Sequence, residues 1–363
     1  MVLPSFLAAR SYPVPRMAVT FLLSFAAAWI FSLLHIPLPW MLGPLLLTGL
    51  LTGLGAELRV PPYGRQLGQA IVGIVIGLNL THDVATSLIE NASYIIGMSL
   101  VGILIGVGIA AAVADKSSVP FRTAFFACMP GGVIEMAVLA EKHGGDVGYI
   151  ALAHSIRVVA VVTIVAPAIS FLSQGGAVAD PFVADKIPLD WLRFELMLGI
   201  GLLIAFILEF KSIANSFFIG GLIIGGLTAY FGLPLSSAPG SIINLAQVLI
   251  GSALGLRLRH EALVGLRSWI PVMLTSTVAL IVGMGAVAWA LSEMMDYSYF
   301  TMVLATAPGG LAEMSITASV FNLGLTMVAA FHCVRIVLVM SLCGSIFSAL
   351  ERAGVVAPRQ TAE

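Results

Sequence analysis

Charge is what this sequence has least of. Asp, Glu, Lys and Arg together make up 10% of its 363 residues, against about 25% in a soluble domain. There is no block of basic residues, so nucleic-acid binding lacks an electrostatic footing. A net charge of −1 points to no charged partner. Cysteine is scarce too. Cys128, Cys333 and Cys343 are odd in number, lie in apolar segments and show neither disulfide nor zinc spacing. They read as small buried hydrophobes. Glycine-rich phosphate loops, His-x-x-Glu-His zinc patterns and nucleophile elbows are all missing. These absences argue against an enzyme. The loops are also too short to hold a separate soluble domain.

What is abundant is hydrocarbon. Residues AVILMFWYC make up 59% of the chain, and the mean hydropathy is +1.05. Six apolar segments fall in each half, at about 17–34, 40–56, 66–81, 94–114, 121–143 and 147–173, then 191–210, 216–232, 242–257, 268–292, 299–321 and 324–349. Several approach the ~20 residues that span a bilayer. Arg10 and Arg16 precede the first run, as they would in a signal peptide. Met17 to Leu34 is long for such a run and is read as a retained span. The chain is therefore expected to be an all-α polytopic membrane protein with the lipid bilayer as its surroundings.

The two halves repeat each other. Pro130-Gly131-Gly132-x-x-Glu135-Met136 returns 178 residues later as Pro308-Gly309-Gly310-x-x-Glu313-Met314. His154-x-x-Arg157 returns as His332-x-x-Arg335 at the same offset, and nine of the 28 positions from Pro130 to Arg157 are identical. The register extends back to Gln69, Gly73 and Gly77, which match Gln247, Gly251 and Gly255. Gly43 and Gly49 match Gly220 and Gly226 after a slip of one residue. Glycines in these small-xxx-small rows predict close helix packing. The polar stretch of about 174–190, with Pro181 and Pro188, divides the chain into repeats at 1–178 and 179–363.

Lys and Arg in short loops set orientation. If segments 5 and 11 enter the membrane and return, thirteen of the seventeen basic residues fall on the cytoplasmic side. Arg59, Arg65, Arg257 and Arg259 are counted among them, and both termini are cytoplasmic. If those segments cross, the bias weakens to ten against five. The charge pattern thus favours two repeats, each of about five transmembrane helices plus one broken or re-entrant Pro-Gly-Gly hairpin. An odd number of crossings gives the second repeat inverted topology, as in secondary transporters.

The repeated block carries the chemistry. Pro lacks an N–H and disfavours helix in the residue before it, and Gly-Gly weakens a helix further. Each apolar segment should therefore split into two half-helices, roughly Phe121–Met129 and Val133–Lys142 in the first copy. The second half-helix starts at the break, and its free N–H groups suit an anion. Pro130, Gly131, Gly132 and Pro308, Gly309, Gly310 are candidate substrate-binding positions on that ground. Glu135 and Glu313 sit in the first turn and are candidates to couple transport to H⁺ or Na⁺. Arg157 and Arg335 lie mid-membrane and need a partner. A carboxylate of Glu135 or Glu313 or a carbonyl at the break would serve, and the role expected of Arg157 and Arg335 is substrate binding, holding the acidic group of a solute together with the half-helix N-termini. His154 and His332, one turn earlier on the same face, are proton relays or donors to backbone. A metal at Glu135, His154, Glu313 and His332 is disfavoured by the nearby guanidinium groups.

The paired motifs, with Pro-Trp-Met-Leu-Gly-Pro at 39–44, resemble the membrane AbrB duplication family of bacteria over about 17–349. Members carry names such as AbrB family transcriptional regulator and ammonia monooxygenase. The resemblance implies a bacterial inner-membrane protein with a transport-related role. The expectation is a secondary transporter of a small organic anion or zwitterion, with no cofactor beyond a coupling H⁺ or Na⁺. The alternatives are a membrane regulatory or sensor protein and, disfavoured, a metal-dependent monooxygenase. A homo-oligomer is left open.

Overall fold

The structure, a computed structural model, describes residues 14–117, 119–172, 188–233, 236–295 and 297–353. The repeat boundary near 178, Arg10, Pro181, Lys186 and Arg359 lie outside the described residues. Every element formed among the described residues is helical. The first half holds α1 (Val14–Leu33), α2 (Pro39–Gly53), α3 (Gly64–Gly77), α4 (His82–Glu90), α5 (Ala92–Lys116), α6 (Phe121–Cys128), α7 (Val133–Lys142) and α8 (Val147–Leu172). The second holds α9 (Trp191–Phe210), α10 (Ser216–Tyr230), α11 (Gly240–Gly255), α12 (His260–Gly265), α13 (Trp269–Met294), α14 (Tyr299–Thr306), α15 (Leu311–Val320) and α16 (Leu325–Arg352). Element order therefore repeats as the sequence does.

Six of these helices, α1, α5, α8, α9, α13 and α16, are long and apolar enough to cross a membrane. The chain is a multi-pass membrane protein. Of the remaining apolar segments, α2, α3 and α10 are shorter than expected, while α11 has its expected length. Helices α2, α3, α10 and α11 have 14 to 16 residues, or about 21–24 Å at 1.5 Å per residue. Two further short helices, α4 and α12, lie outside the expected segments. The axis turns by 92° between α3 and α4. Thr81 starts α4 by accepting from the Val84 N–H.

The glycine rows hold the short helices together, and they do so across the halves. A β-carbon on Gly73 would lie 2.2 Å from the Phe218 carbonyl, and one on Gly251 would lie 2.4 Å from the Met41 carbonyl. Likewise Gly77 meets Leu222 and Gly226, while Gly255 meets Leu45 and Gly49. Helix α3 of one half thus packs backbone to backbone on α10 of the other, and α11 packs on α2 in the same way. The long helices also exchange, with α5 against α16 and α13 against α8.

Each Pro-Gly-Gly segment is a hairpin that returns to the end it entered. In the first, the Asp146 N–H donates to Thr123 Oγ1 at 3.0 Å, and His143 stacks on Phe126 with ring centroids 5.6 Å apart. In the second, the Gly324 N–H donates to Thr301 Oγ1 at 3.1 Å, the equivalent bond. The two hairpin mouths are far apart. Tyr149, beside the first mouth, accepts from Trp269 at the start of α13, while α13 ends at Met294, just before the second. Helix α13 has 26 residues and so is about 39 Å long, more than the ~30 Å hydrocarbon core. Helix α16 runs the opposite way. It starts at the second mouth and brings Phe347 to the Phe125, Phe126 and His143 rings of the first.

Candidate functional site

The two hairpin tips line one cavity. The backbone breaks as Pro and Gly-Gly require. Met129 and Ala307, each preceding a proline, are extended at φ −61°, ψ 138° and φ −49°, ψ 139°. Gly132 and Gly310 then cap α7 and α15 in extended conformation, at φ −76°, ψ 152° and φ −80°, ψ 150°. The near-identity of these angles shows that the two copies fold alike.

The motif spacing has a steric reason. A β-carbon at Gly132 would fall 2.0 Å from Oε2 of Glu135, and one at Gly310 would fall 1.9 Å from Oε2 of Glu313. Each carboxylate thus curls back over the second glycine, at the positive end of its own half-helix. The first glycine of each pair leaves room for the methionine. Side-chain atoms of Met136 and Met314 lie 2.9 Å from where a β-carbon on Gly131 and Gly309 would sit. Pro-Gly-Gly-x-x-Glu-Met is a broken helix with two slots, one for a thioether and one for a carboxylate.

The arginines close the other side of the break. Arg157 Nη1 donates to the Met129 carbonyl at 2.7 Å, and Nη2 donates to the Ala127 carbonyl. Arg335 Nη1 donates to Ala307 at 2.6 Å and Nη2 to Gly309 at 2.9 Å. The Ala127, Met129 and Ala307 carbonyls end α6 and α14, where the helix dipole is negative, and the Gly309 carbonyl lies within the second break. Carbonyls at the break thus hold each guanidinium, and no Glu135–Arg157 or Glu313–Arg335 ion pair forms among the described residues. Both arginines are buried.

The histidines sit one turn earlier and bond in parallel. His154 Nε2 pairs with the Phe126 carbonyl at 2.9 Å and His332 Nε2 with the Leu304 carbonyl at 3.0 Å. Arg335 Nη2 also donates to His332 Nδ1 at 2.8 Å. That donation makes Nδ1 an acceptor and puts the ring proton on Nε2.

A cavity of about 170 Å³ lies between the tips. Pro130, Gly131, Gly132, Glu135, His154 and Arg157 line it from the first half, and Pro308, Gly309, Gly310, Glu313 and Arg335 line it from the second. Eleven of the twelve residues singled out in the sequence therefore gather here, while His332 stands behind the wall. The cavity has further polar lining that sequence reasoning did not identify: Arg65, Gln66 and Gln69 of α3, Glu209 of α9, Asn215 and Ser216 at the start of α10, and Arg257 after α11. Ser216 Oγ donates to Glu209. Arg65 and Arg257 had been counted as loop charges. Neither has a charged counterpart in the other half, where Ile243 and Asn79 stand, so the repeat could not single them out. Their signal was a charge directly beside an apolar run.

Six helices long and apolar enough to cross a membrane, with two broken-helix hairpins lining one charged cavity, define the class as a multi-pass helical membrane protein with a buried polar site. The family described as "Transition state regulatory protein AbrB" matches residues 50–351, and the chain belongs to it. It is similar to "Putative regulator AbrB" of Escherichia coli (strain K12), at 24% identity over 327 residues, 89% of this chain and 93% of that protein. It is also similar to "Uncharacterized protein YhjN" of Bacillus subtilis (strain 168), at 26% identity over 366 residues, 88% of this chain and 89% of that protein.

Proposed function

We propose that this protein is a secondary transporter of a small organic anion or zwitterion, coupled to H⁺ or Na⁺ and residing in the bacterial inner membrane. The observation that carries this reading is the single cavity lined by both hairpin tips, with a carboxylate and a guanidinium from each half. Non-helical backbone at membrane depth is tolerated where it lines such a cavity. Transporters place their sites where inverted repeats meet, at the ends of discontinuous helices. Hairpin mouths at opposite ends of α13 and α16, and the exchange packing of α3 and α11, support two repeats of opposite orientation.

In this reading Glu135 and Glu313 exchange the coupling ion, and the half-helix N-termini face the solute. Arg157 and Arg335, with His154 and His332, hold each break open by occupying its carbonyls. The two halves rock against each other to expose the cavity to one face and then the other. The protein performs no catalysis, and both termini are cytoplasmic.

The test is flux in proteoliposomes, with small organic acids and zwitterions offered under an imposed pH or Na⁺ gradient. Gradient-driven uptake should occur and should lose its dependence on the gradient in Glu135→Gln and Glu313→Gln. Passive membranes under every gradient would refute transport. The name of the Escherichia coli relative supplies a second reading, a regulatory membrane protein. Loss of a transcriptional phenotype in cells while purified protein moves no solute would favour it.

A further inference from the structure

We propose that Arg65 and Arg257 form the docking site for the carboxylate of a small organic acid. This assignment takes its biological sense from the transport reading, but binding can be measured apart from flux.

Four guanidinium groups line the cavity. Two of them, Arg157 and Arg335, have their terminal nitrogens committed to backbone carbonyls. The other two have no such commitment. Neither the Arg65 nor the Arg257 side chain makes a hydrogen bond or ion pair among the described residues, and Nε of Arg65, like Nε of Arg335, is buried without a partner. Each guanidinium offers five donors in a rigid fork, and the Arg65 Nε donor, out of water and unpaired, costs free energy. Arg65 and Arg257 also lie within electrostatic reach of each other. An anion between two such cations satisfies the donors and relieves the repulsion.

The cavity's own carboxylates do not fill this role. Glu135 and Glu313 act on Arg257 through space, but each is folded back on its own half-helix, and Glu209 takes the Ser216 hydroxyl. Arginines outnumber these carboxylates on the cavity wall, so the site favours a negative occupant. A carboxylate matches the guanidinium fork in two-point contact, and Gln66 and Gln69 add amide donors on the same side. At about 170 Å³ the space falls below the ~300 Å³ at which drug-sized pockets begin, which fits an acid of few carbons.

The experiment is thermal unfolding of the purified full chain in detergent. The probes are sodium acetate, lactate, succinate and glutamate, with acetamide, succinamide and sodium phosphate for contrast, all against NaCl at equal ionic strength. At least one carboxylate should raise the midpoint, because a ligand of the folded state stabilises it, and the amides should not. Arg65→Gln and Arg257→Gln should each abolish the shift. Arg65→Lys and Arg257→Lys keep the charge and lose the fork, and should raise the half-saturating concentration about tenfold or more. If a Gln variant fails to fold, judged by its ligand-free midpoint and gel filtration, its Lys variant carries the test. No shift with any carboxylate, an equal shift with the amides, a shift with phosphate alone, or full shifts in all the variants would each overturn the assignment. The two readings fail separately. Arginine-dependent binding without gradient-driven flux refutes transport alone, whereas flux that survives Arg65→Gln and Arg257→Gln refutes this docking site alone.

Discussion

At the residue scale the repeated motif is a packing rule before it is a chemical one. Each glycine of the pair is small because a particular side chain lies where its β-carbon would be. In Gly132→Ala and Gly310→Ala the new methyl group meets the free end of a glutamate, so the carboxylate moves and the fold stays. Solute uptake should fall at least about tenfold while the unfolding midpoint changes little, since a flexible side-chain end gives way cheaply. An unchanged uptake rate would break the link between carboxylate position and function. Arg157→Gln and Arg335→Gln should behave differently. Each leaves buried carbonyls without a charged donor, a loss of about 1.5–3 kcal/mol per bond, which thermal unfolding will register as a lowered midpoint. The hairpin residues were legible in the sequence because duplication doubled their signal in a chain nearly free of charge. Arg65 and Arg257 were not, because each occurs in one copy only and lies beside segment ends where basic residues also mark topology. The sequence could not decide among partners for Arg157 and Arg335, since carbonyls at a break leave no pattern of their own.

At the element scale, helix breaks and glycine rows do most of the organising. The half-helices Phe121–Cys128 and Val133–Lys142 fall within a residue of their expected limits, because Pro and Gly-Gly fix both ends of the break. The lengths of α2, α3 and α10 fall short of their expected segments, α11 keeps its length but starts two residues earlier, and α4 and α12 have no counterpart in the hydropathy pattern. Hydropathy runs on through residues such as Leu78 and Leu80, while the backbone turns where Asn79 and Thr81 follow α3. The glycine rows carry a direct prediction. In Gly73→Ala and Gly251→Ala the added carbon would meet backbone carbonyls at 2.2 and 2.4 Å, which cannot swing away. Overpacking of this kind costs about 1–3 kcal/mol, and the midpoint should drop accordingly. Gly97→Ala and Gly108→Ala on α5, where nothing lies within 4 Å of the added carbon, are the controls and should unfold with the parent. Equal behaviour of the two pairs would show that close backbone approach does not hold α3 and α11 in place.

At the scale of the whole molecule, the two halves are interlocked rather than side by side. Each lends its third helix to the other's second, and each has a hairpin that reaches the shared cavity. Charge in the loops favours a returning segment 5 and 11, which give the stronger inside bias, but it does not speak to the interlocking. The sequence did not reveal that α13 and α16 each run between the two hairpin mouths, because that relation exists only once the helices pack. The account depends on those mouths opening at opposite faces of the membrane. The direct measurement is labelling of intact cells and of inverted vesicles with a membrane-impermeant maleimide. Lys142→Cys, at the first mouth, and Asn322→Cys, at the second, would each be placed in a chain whose three native cysteines are replaced by alanine. The account predicts that each cysteine reacts in only one of the two preparations, and that the two react in different ones. Labelling of both from the same face would contradict it.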